Sequence, residues 1–436
     1  MTSFQVIIIS FFCLILVGTL LLMLPISSRQ RCVTSFPDAM FTAVSATCVT
    51  GLVVKDTATY WSLFGQAVIL MLIQIGGMGV ITIGLAIIRA SGRKIGLRQR
   101  STMQESISAP QVGGIVKLTG FILKTSLIIE MIGAALLAPV FCNDLGIAKG
   151  LWYSLFHSIS AFCNAGFDIL GTTEQTFPSL TGYIANPLIN LVIMLLIVIG
   201  GIGFLTWDDF CTNKWNLKRY RLQSKIILVT TAVLILLPAV FFFLIDFTGF
   251  SVGKRILASL FQSVTLRTAG FNTADLGAMS DSSKAIMILM MLIGGSPGST
   301  AGGMKTTTIA VLILNAFATF GREPETEVFG RRFDNTVVKN AATIAILYFF
   351  LFFAGGIAIS QIEHVALSDC LFETASAVGT AGLTLGITTE LGLVSHLILV
   401  VLMYLGRVGG LTLIYAAISV KIQSGAKRPL DKITVG

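Results

Sequence analysis

Stretches of twenty or more residues without a single charged side chain recur along this chain, and they restrict its fold more than any other feature. Such intervals run over 1–28, 57–88, 175–207, 226–245, 285–304 and 340–362. Two further apolar stretches, 118–140 and 391–420, are interrupted only by Lys124 and Glu130 in the first and Arg407 in the second. A helix crossing a bilayer needs about 20 predominantly apolar residues. Eight such segments predict eight spans, the first within 4–24. The first segment reads as an anchor rather than a cleaved leader, because it lacks a basic start and its apolar run is long. Composition agrees: 12% of residues are charged, where soluble domains carry about 25%. The seven cysteines are scattered without a CxxC pair, so neither a disulfide scaffold nor a zinc site is indicated.

An even number of spans places both termini on one side, and the basic residues say which. Arg89, Arg93, Lys94, Arg98 and Arg100 fall between spans two and three. Lys214, Lys218, Arg219, Arg221 and Lys225 fall between spans four and five. Arg322, Arg331, Arg332 and Lys339 precede span seven, and Lys421, Lys427, Arg428 and Lys432 lie in the tail. This face is therefore expected to be cytoplasmic, with both termini inside. The opposite face carries more acids than bases, Asp56 and Asp168 among them, and an acidic rim raises the local cation concentration. Sorting by charge explains the basic face without a nucleic-acid partner.

A shorter apolar piece follows the first, third, fifth and seventh spans. The four pieces read FTAVSATCVTGL, FHSISAFCNAGF, FQSVTLRTAGF and FETASAVGTAGL, and they align on Gly51, Gly166, Gly270 and Gly382. Phenylalanine or leucine follows each glycine. A phenylalanine precedes it by ten residues in three copies and by nine in the third. The glycines are 115, 104 and 112 residues apart, a spacing that divides the chain into four direct repeats: 1–100, 101–222, 223–330 and 331–436. Each repeat is span, re-entrant piece, span, with the re-entrant pieces at 36–54, 151–170, 255–273 and 368–386.

Non-helical backbone at membrane depth is tolerated only where it lines a wet path or is buried in protein. Four equivalent loops about one axis would turn backbone carbonyls toward a central pore, and a ring of carbonyls can replace a cation's hydration shell. No acidic side chain lies in 49–52, 164–167, 268–271 or 380–383. That favours a large monovalent cation over Mg²⁺ or Ca²⁺, which want carboxylates. The expected fold is an all-α integral membrane protein with eight transmembrane helices around a pseudo-four-fold central pore.

With VTGL, NAGF, TAGF and TAGL in order, each between two spans, the whole chain resembles the Ktr/Trk/HKT superfamily of potassium transporters. Within it, the chain is most similar to the KtrB-type membrane subunits of bacterial Ktr uptake systems. The resemblance implies that carbonyls of Val49, Thr50 and Gly51, of Asn164, Ala165 and Gly166, of Thr268, Ala269 and Gly270, and of Thr380, Ala381 and Gly382 form a potassium filter. Each loop holds one glycine and lacks TVGYG, so incomplete discrimination against Na⁺ is expected.

The second span of every repeat carries a glycine cluster: 75–79, 199–203, 293–303 and 405–410. Close helix packing accounts for the first two. The third holds Gly294, Gly295, Ser296, Pro297, Gly298, Ser299, Thr300, Ala301, Gly302 and Gly303, and so many breakers must interrupt a helix expected over 284–320. It is not a phosphate loop, because Met304 separates Gly303 from Lys305. In the resembled family this segment is an intramembrane gate beneath the filter. Arg407 falls in the corresponding region of span eight. A charge there is a functional candidate, and the family suggests that it holds the loop through carbonyl hydrogen bonds, structural ion pairing being the alternative. Arg267, directly before Thr268, should turn away from the path, and an ion pair with Glu373 is expected to brace loops three and four. His157 is expected to be packed, and Lys124 and Glu130 have no assigned role.

These features point to translocation of K⁺, with no covalent chemistry, no catalytic constellation in the spans and no organic cofactor. The family resemblance implies a multi-pass protein of the bacterial plasma membrane that forms a homodimer. It also implies a cytosolic nucleotide-binding regulatory ring (KtrA-like) on the basic inner face, and leaves open Na⁺ as an activating or coupling ion. A Trk-type or sodium-conducting relative is the nearest alternative. A secondary transporter with a midplane site is more distant, since it predicts inverted halves where four direct repeats are found.

Overall fold

The computed structural model describes residues 2–84, 96–107, 111, 113–323, 325–410 and 412. Arg89, Arg93, Lys94 and the basic residues of the tail lie outside them. The first element of every repeat is a long apolar helix: α1 (Ser3–Met23), α5 (Ile115–Leu145), α9 (Leu222–Ile245) and α13 (Asn335–Glu363). At 21, 31, 24 and 29 residues, each is long enough for a bilayer. Their outward faces leave Leu20, Leu127, Leu237 and Phe350 exposed, an apolar surface suited to lipid rather than water.

Each long helix is followed by a short one packed against it: α2 (Phe36–Cys48), α6 (Ile147–Phe162), α10 (Val252–Thr265) and α14 (Leu367–Gly379). The first of these starts where Ser35 accepts a hydrogen bond from the Asp38 amide, with Pro37 and Asp38 in its opening turn. Side-chain capping, an early proline and an early acid all favour a helix start. The second elements of the repeats are α3 (Leu63–Met78), α7 (Pro187–Gly201), α11 (Asp281–Leu292) with α12 (Thr306–Phe320), and α15 (Leu393–Val408). Ser62, Asn186 and Ser280 cap the first three in the same way.

These second elements correct the expectation that only the third glycine cluster breaks its span. Helix α3 ends just before Gly79, α7 two residues before Gly203 and α15 just before Gly409, glycines with φ of +87°, +93° and +90°, a region open to glycine and costly for other residues. After Gly203 the chain turns through 97° into α8 (Phe204–Asn213). Among the described residues, four helices alone meet the length and composition of a span, or five if α7 and α8 count together. Helix α4 (Leu97–Ser106) lies near the start of α1, and a two-residue β1–β2 hairpin (Glu327–Val328 with Arg331–Arg332) interrupts an otherwise helical chain.

The repeats close into a circle. Helix α6 packs on α3, α10 on α7, α14 on α11, and α2 on α15. Every short helix thus rests on the second element of the preceding repeat, the first repeat resting on the fourth. This cyclic order places the ends of α2, α6, α10 and α14 around one axis.

Candidate functional site: a ring of four loops and the segment packed against it

The short helices end in a shared backbone device. Val49, Asn164, Thr268 and Thr380 adopt φ of +57°, +59°, +60° and +51°. Two residues later Gly51, Gly166, Gly270 and Gly382 adopt +96°, +69°, +80° and +82°. The glycines were legible in the sequence; the positive φ at the earlier position was not. Three of those four residues are β-branched, for which this region is a genuine outlier. Strain of this kind persists only where the surroundings impose it. Here the amides of Thr50, Ala165 and Ala381 donate back to the carbonyls of Ser45, Ser160 and Ser376, each at 2.8 Å, a six-to-one helix closure. Hydroxyls of the short helices then hold the returning strand: Ser45 accepts from the Gly51 amide, and Ser160 and Thr265 donate to the Phe167 and Phe271 carbonyls.

Glycine at the aligned position is required by its neighbour as much as by its own backbone. A methyl group on Gly51 would lie 2.5 Å from the Ala165 carbonyl oxygen. On Gly166 it would lie 2.7 Å from that of Ala269, on Gly270 3.0 Å from that of Ala381, and on Gly382 2.0 Å from that of Thr50. Each loop thus presses on the next, and the fourth returns to the first. All twelve residues expected at the filter are fully or almost fully buried in this ring.

The loop from Gly294 to Gly303 sits against one side of the ring, touching it at Asn164 and Thr380. Its backbone groups are satisfied largely by other repeats. Ser296 and Thr300 amides donate to the Gly201 and Gly200 carbonyls at 2.9 and 3.2 Å, and the Gly303 amide donates to Gly406 at 3.2 Å. Gly298 accepts from the Phe204 amide at 2.7 Å. The hydroxyl of Thr300 reaches both the Phe162 carbonyl and Asn164 Oδ1 at 3.0 Å, while Asn164 Nδ2 donates to the Arg267 carbonyl. Gly302 lies so close to Thr380 that a methyl group would meet its Oγ1 at 2.2 Å. Arg407 donates to the Thr300 carbonyl and, through Nη2, to the carbonyls of Gly76 and Gly77. Lys305, dismissed in the sequence as a failed phosphate-loop lysine, folds its Nζ back onto the Ala301 carbonyl at 2.8 Å. The Lys305 contact is local, four residues back along the loop; that of Asn164 has no sequence signal, because it depends on which repeats the loop touches.

The glycine clusters of α3 and α7 serve two surfaces. Methyl groups on Gly76 and Gly200 would fall 1.9 and 2.0 Å from the Thr47 and Phe162 carbonyls, the close packing expected of small residues. Their own carbonyls, freed where the helices stop, accept from Arg407 and from Thr300.

The expected Arg267–Glu373 ion pair is absent. The Glu373 carboxylate is occupied within its own repeat by the hydroxyls of Thr384 and Thr388 and the Leu385 amide. It therefore braces the strand leaving loop four rather than reaching loop three. Arg267 is 5% exposed, and its Nε and Nη2 have no hydrogen-bond partner among the described residues. His157 is packed as expected, between the rings of Phe141, Phe156 and Phe271. Glu130 accepts from the Gln74 side chain at 2.9 Å.

Acids flank the assembly on both sides. Asp168, two residues beyond Gly166, is half-buried. Burial, reinforced by the Asp56 carboxylate, pushes its carboxyl up to about 7 against the opposing Leu170 amide. On the other side of the 294–303 loop lies a cavity of about 220 Å³ lined by Glu105, Ile107, Ser299, Lys305, Tyr348 and Arg407. Glu105 keeps one buried oxygen without a partner among the described residues, and burial raises its carboxyl above the usual range.

The profile of the TrkH family, described as cation transport protein, matches residues 1–426. The chain belongs to this family. It is similar to the potassium/sodium uptake protein NtpJ of Enterococcus hirae, at 37% identity over 99% of this chain and 97% of that protein. It is equally similar to the Ktr system potassium uptake protein B of Bacillus subtilis, at 37% identity over 99% of this chain and 96% of the other. The crystal structure of the potassium transporter TrkH from Vibrio parahaemolyticus shares the fold with a TM-score of 0.75, at 20% identity over 95% of this chain and 84% of that one. The family member described here therefore has the fold and lineage of a cation transport protein.

Proposed function

We propose that this chain is the pore subunit of a Ktr-type potassium uptake system in a bacterial plasma membrane. The observation that carries the reading is the closed ring of four strained, acid-free loops, with a separately tethered plug beneath it. Carbonyls of the twelve ring residues, 49–51, 164–166, 268–270 and 380–382, would take over the hydration shell of K⁺. Asp168 would concentrate cations at the outer mouth and Glu105 would receive them at the inner one. The plug, 294–303, would close the path until its tethers to Asn164, Gly200, Gly201, Gly406 and Arg407 are released.

Eight crossings follow if each broken second element counts as one span, with both termini on the basic, cytoplasmic side. The four repeats then share the work unequally, three supplying anchors for a plug carried by the third. A system of several components, as the name of the Bacillus relative implies, would dock a cytosolic nucleotide-binding ring on the basic face, and the pore subunit would act as a homodimer. Na⁺ conduction is the second reading, supported by the single glycine per loop and by the potassium/sodium name of the Enterococcus relative. Expression in a bacterium lacking its own potassium uptake tests the proposal. Growth at low external K⁺ should be restored, and adding Na⁺ should leave or enhance it. Na⁺ accumulation without K⁺ rescue would favour the second reading, and no change in either ion would overturn both.

A further inference from the structure

The turn after Gly203 places an uncommitted surface at one end of α7. Because α8 leaves α7 at 97°, it runs across the end of α7 rather than extending it, toward the basic turn at 214–219. The inner face of α8 is buried: Trp207 packs on Phe204 and Phe162 and donates to the Ile199 carbonyl at 2.9 Å. The other face and the turn that follows are bare. Phe210 is 49%, Trp215 86% and Leu217 58% exposed, with the rings of Phe210 and Trp215 in edge contact at 5.8 Å. Lys214, Lys218 and Arg219 are exposed around them and form no ion pair among the described residues. The nearby acids are taken: Asp208 by Arg221 at 2.7 Å, and Asp209 by Ser224 and the Arg221 amide.

An indole and a phenyl ring ringed by three free cations match one layer in particular. Aromatic rings settle at the membrane–water interface, and basic side chains beside them attract anionic headgroups. The other end of α8 bears on the plug. The Phe204 amide holds the Gly298 carbonyl at 2.7 Å, and Gly298 is hemmed from the opposite side by the Ile107 carbonyl, 2.5 Å from where a methyl group would sit.

We propose that residues 210–219 seat on anionic phospholipid headgroups of the inner leaflet. Through α8 and its Phe204–Gly298 bond, this seat holds the plug at rest. The inference relies on the inward-facing orientation argued under the proposed function.

The test uses the full-length chain in vesicles of phosphatidylcholine alone or mixed with phosphatidylglycerol. Brominated phosphatidylglycerol should quench tryptophan emission more than brominated phosphatidylcholine does, and W215F should remove the difference. A basic side chain near an anionic surface gains about fivefold in local headgroup enrichment. K214Q/K218Q/R219Q should therefore abolish most of the preference. Resting K⁺ flux should be lower in the anionic vesicles for the unmodified chain and equal in both for the triple variant. Equal quenching by the two lipids would overturn the seat. A triple variant that keeps the lipid preference of the unmodified chain yet no longer binds a cytosolic subunit would assign the surface to a protein instead and overturn the proposal. Lipid-selective quenching without any change in flux would overturn the link to the plug. The quenching arm decides the seat even if the unmodified chain passes no K⁺, a result that would count against the transport reading alone.

Discussion

The four loops of the ring and the loop from Gly294 to Gly303 are both irregular backbone at the centre of the molecule, yet they meet their hydrogen-bonding needs in opposite ways. Each ring loop is tied to its own repeat, by helix closures at 2.8 Å in repeats one, two and four and by hydroxyls of the short helix in repeats one, two and three. The plug is tied mainly to repeats two and four, and through Arg407 to repeat one. Local ties hold a conformation wherever the helix forms. Remote ties hold only while the repeats keep their relative positions. On the proposed function, this difference makes the ring the fixed part and the plug the part that small movements between repeats would release.

Serine in place of Gly382 should be the most damaging change, because its Cβ would meet the Thr50 carbonyl at 2.0 Å and a left-handed backbone adds about 1–3 kcal/mol. Loss of most K⁺ over Na⁺ preference in uptake assays is the expected result. Gly270→Ser, whose Cβ has 3.0 Å of space, should do less. If the two variants behaved alike, steric pressure between loops would not be what matters.

Deleting 296–302 removes the plug with nearly all its tethers and should raise ion flux while leaving the ring closures intact. Flux at or below that of the unmodified chain would break the proposed division of labour. Arg407→Gln comes next. Hydrogen bonds from a charged donor are worth about 1.5–3 kcal/mol, so resting flux should rise about tenfold or more. Thr300→Val removes one hydroxyl and strands Asn164 Oδ1, a loss of about 1 kcal/mol, so its effect should be about fivefold. A double-mutant cycle with Asn164→Ala should show the two residues strongly coupled.

The smallest effect concerns the rim. With its carboxyl at about 7, Asp168 is charged above that pH and gains a proton as pH falls through it. Attraction of K⁺ therefore weakens on acidification, and the KM for uptake should be severalfold higher at pH 6 than at pH 8 if screening is low. Asp168→Asn should show the higher KM at both pH values, and a profile unchanged by the substitution would assign the titration to another group.

Much of the arrangement was legible in the chain because hydrophobic length and repeated glycines are local properties. The four long helices appear where the apolar runs predict them, three charge-free and one holding Lys124 and Glu130, and the third cluster is irregular as five glycines and a proline require. The breaks at Gly79, Gly203 and Gly409 have no distinct sequence signal, since a glycine cluster in an apolar run fits close helix packing as well as a helix end. The Arg267–Glu373 pair does not form, because the sequence does not say which way each side chain faces, and hydroxyls of repeat four already hold the Glu373 carboxylate.

By itself, then, the sequence determined a membrane-embedded, four-fold repeated helical chain with acid-free loops at aligned glycines, since spans are set by local apolar length and repeats by composition at fixed spacing. The tertiary structure decided the closed order of the loops, the left-handed backbone at Val49, Thr268 and Thr380, and the partners of Asn164, Thr300, Arg407 and Glu373. Glu373 and the left-handed residues are held within their own repeats, whereas Asn164 meets Thr300 and Thr300 meets Arg407 across more than a hundred positions. Only the packing of one repeat against the next brings such residues together.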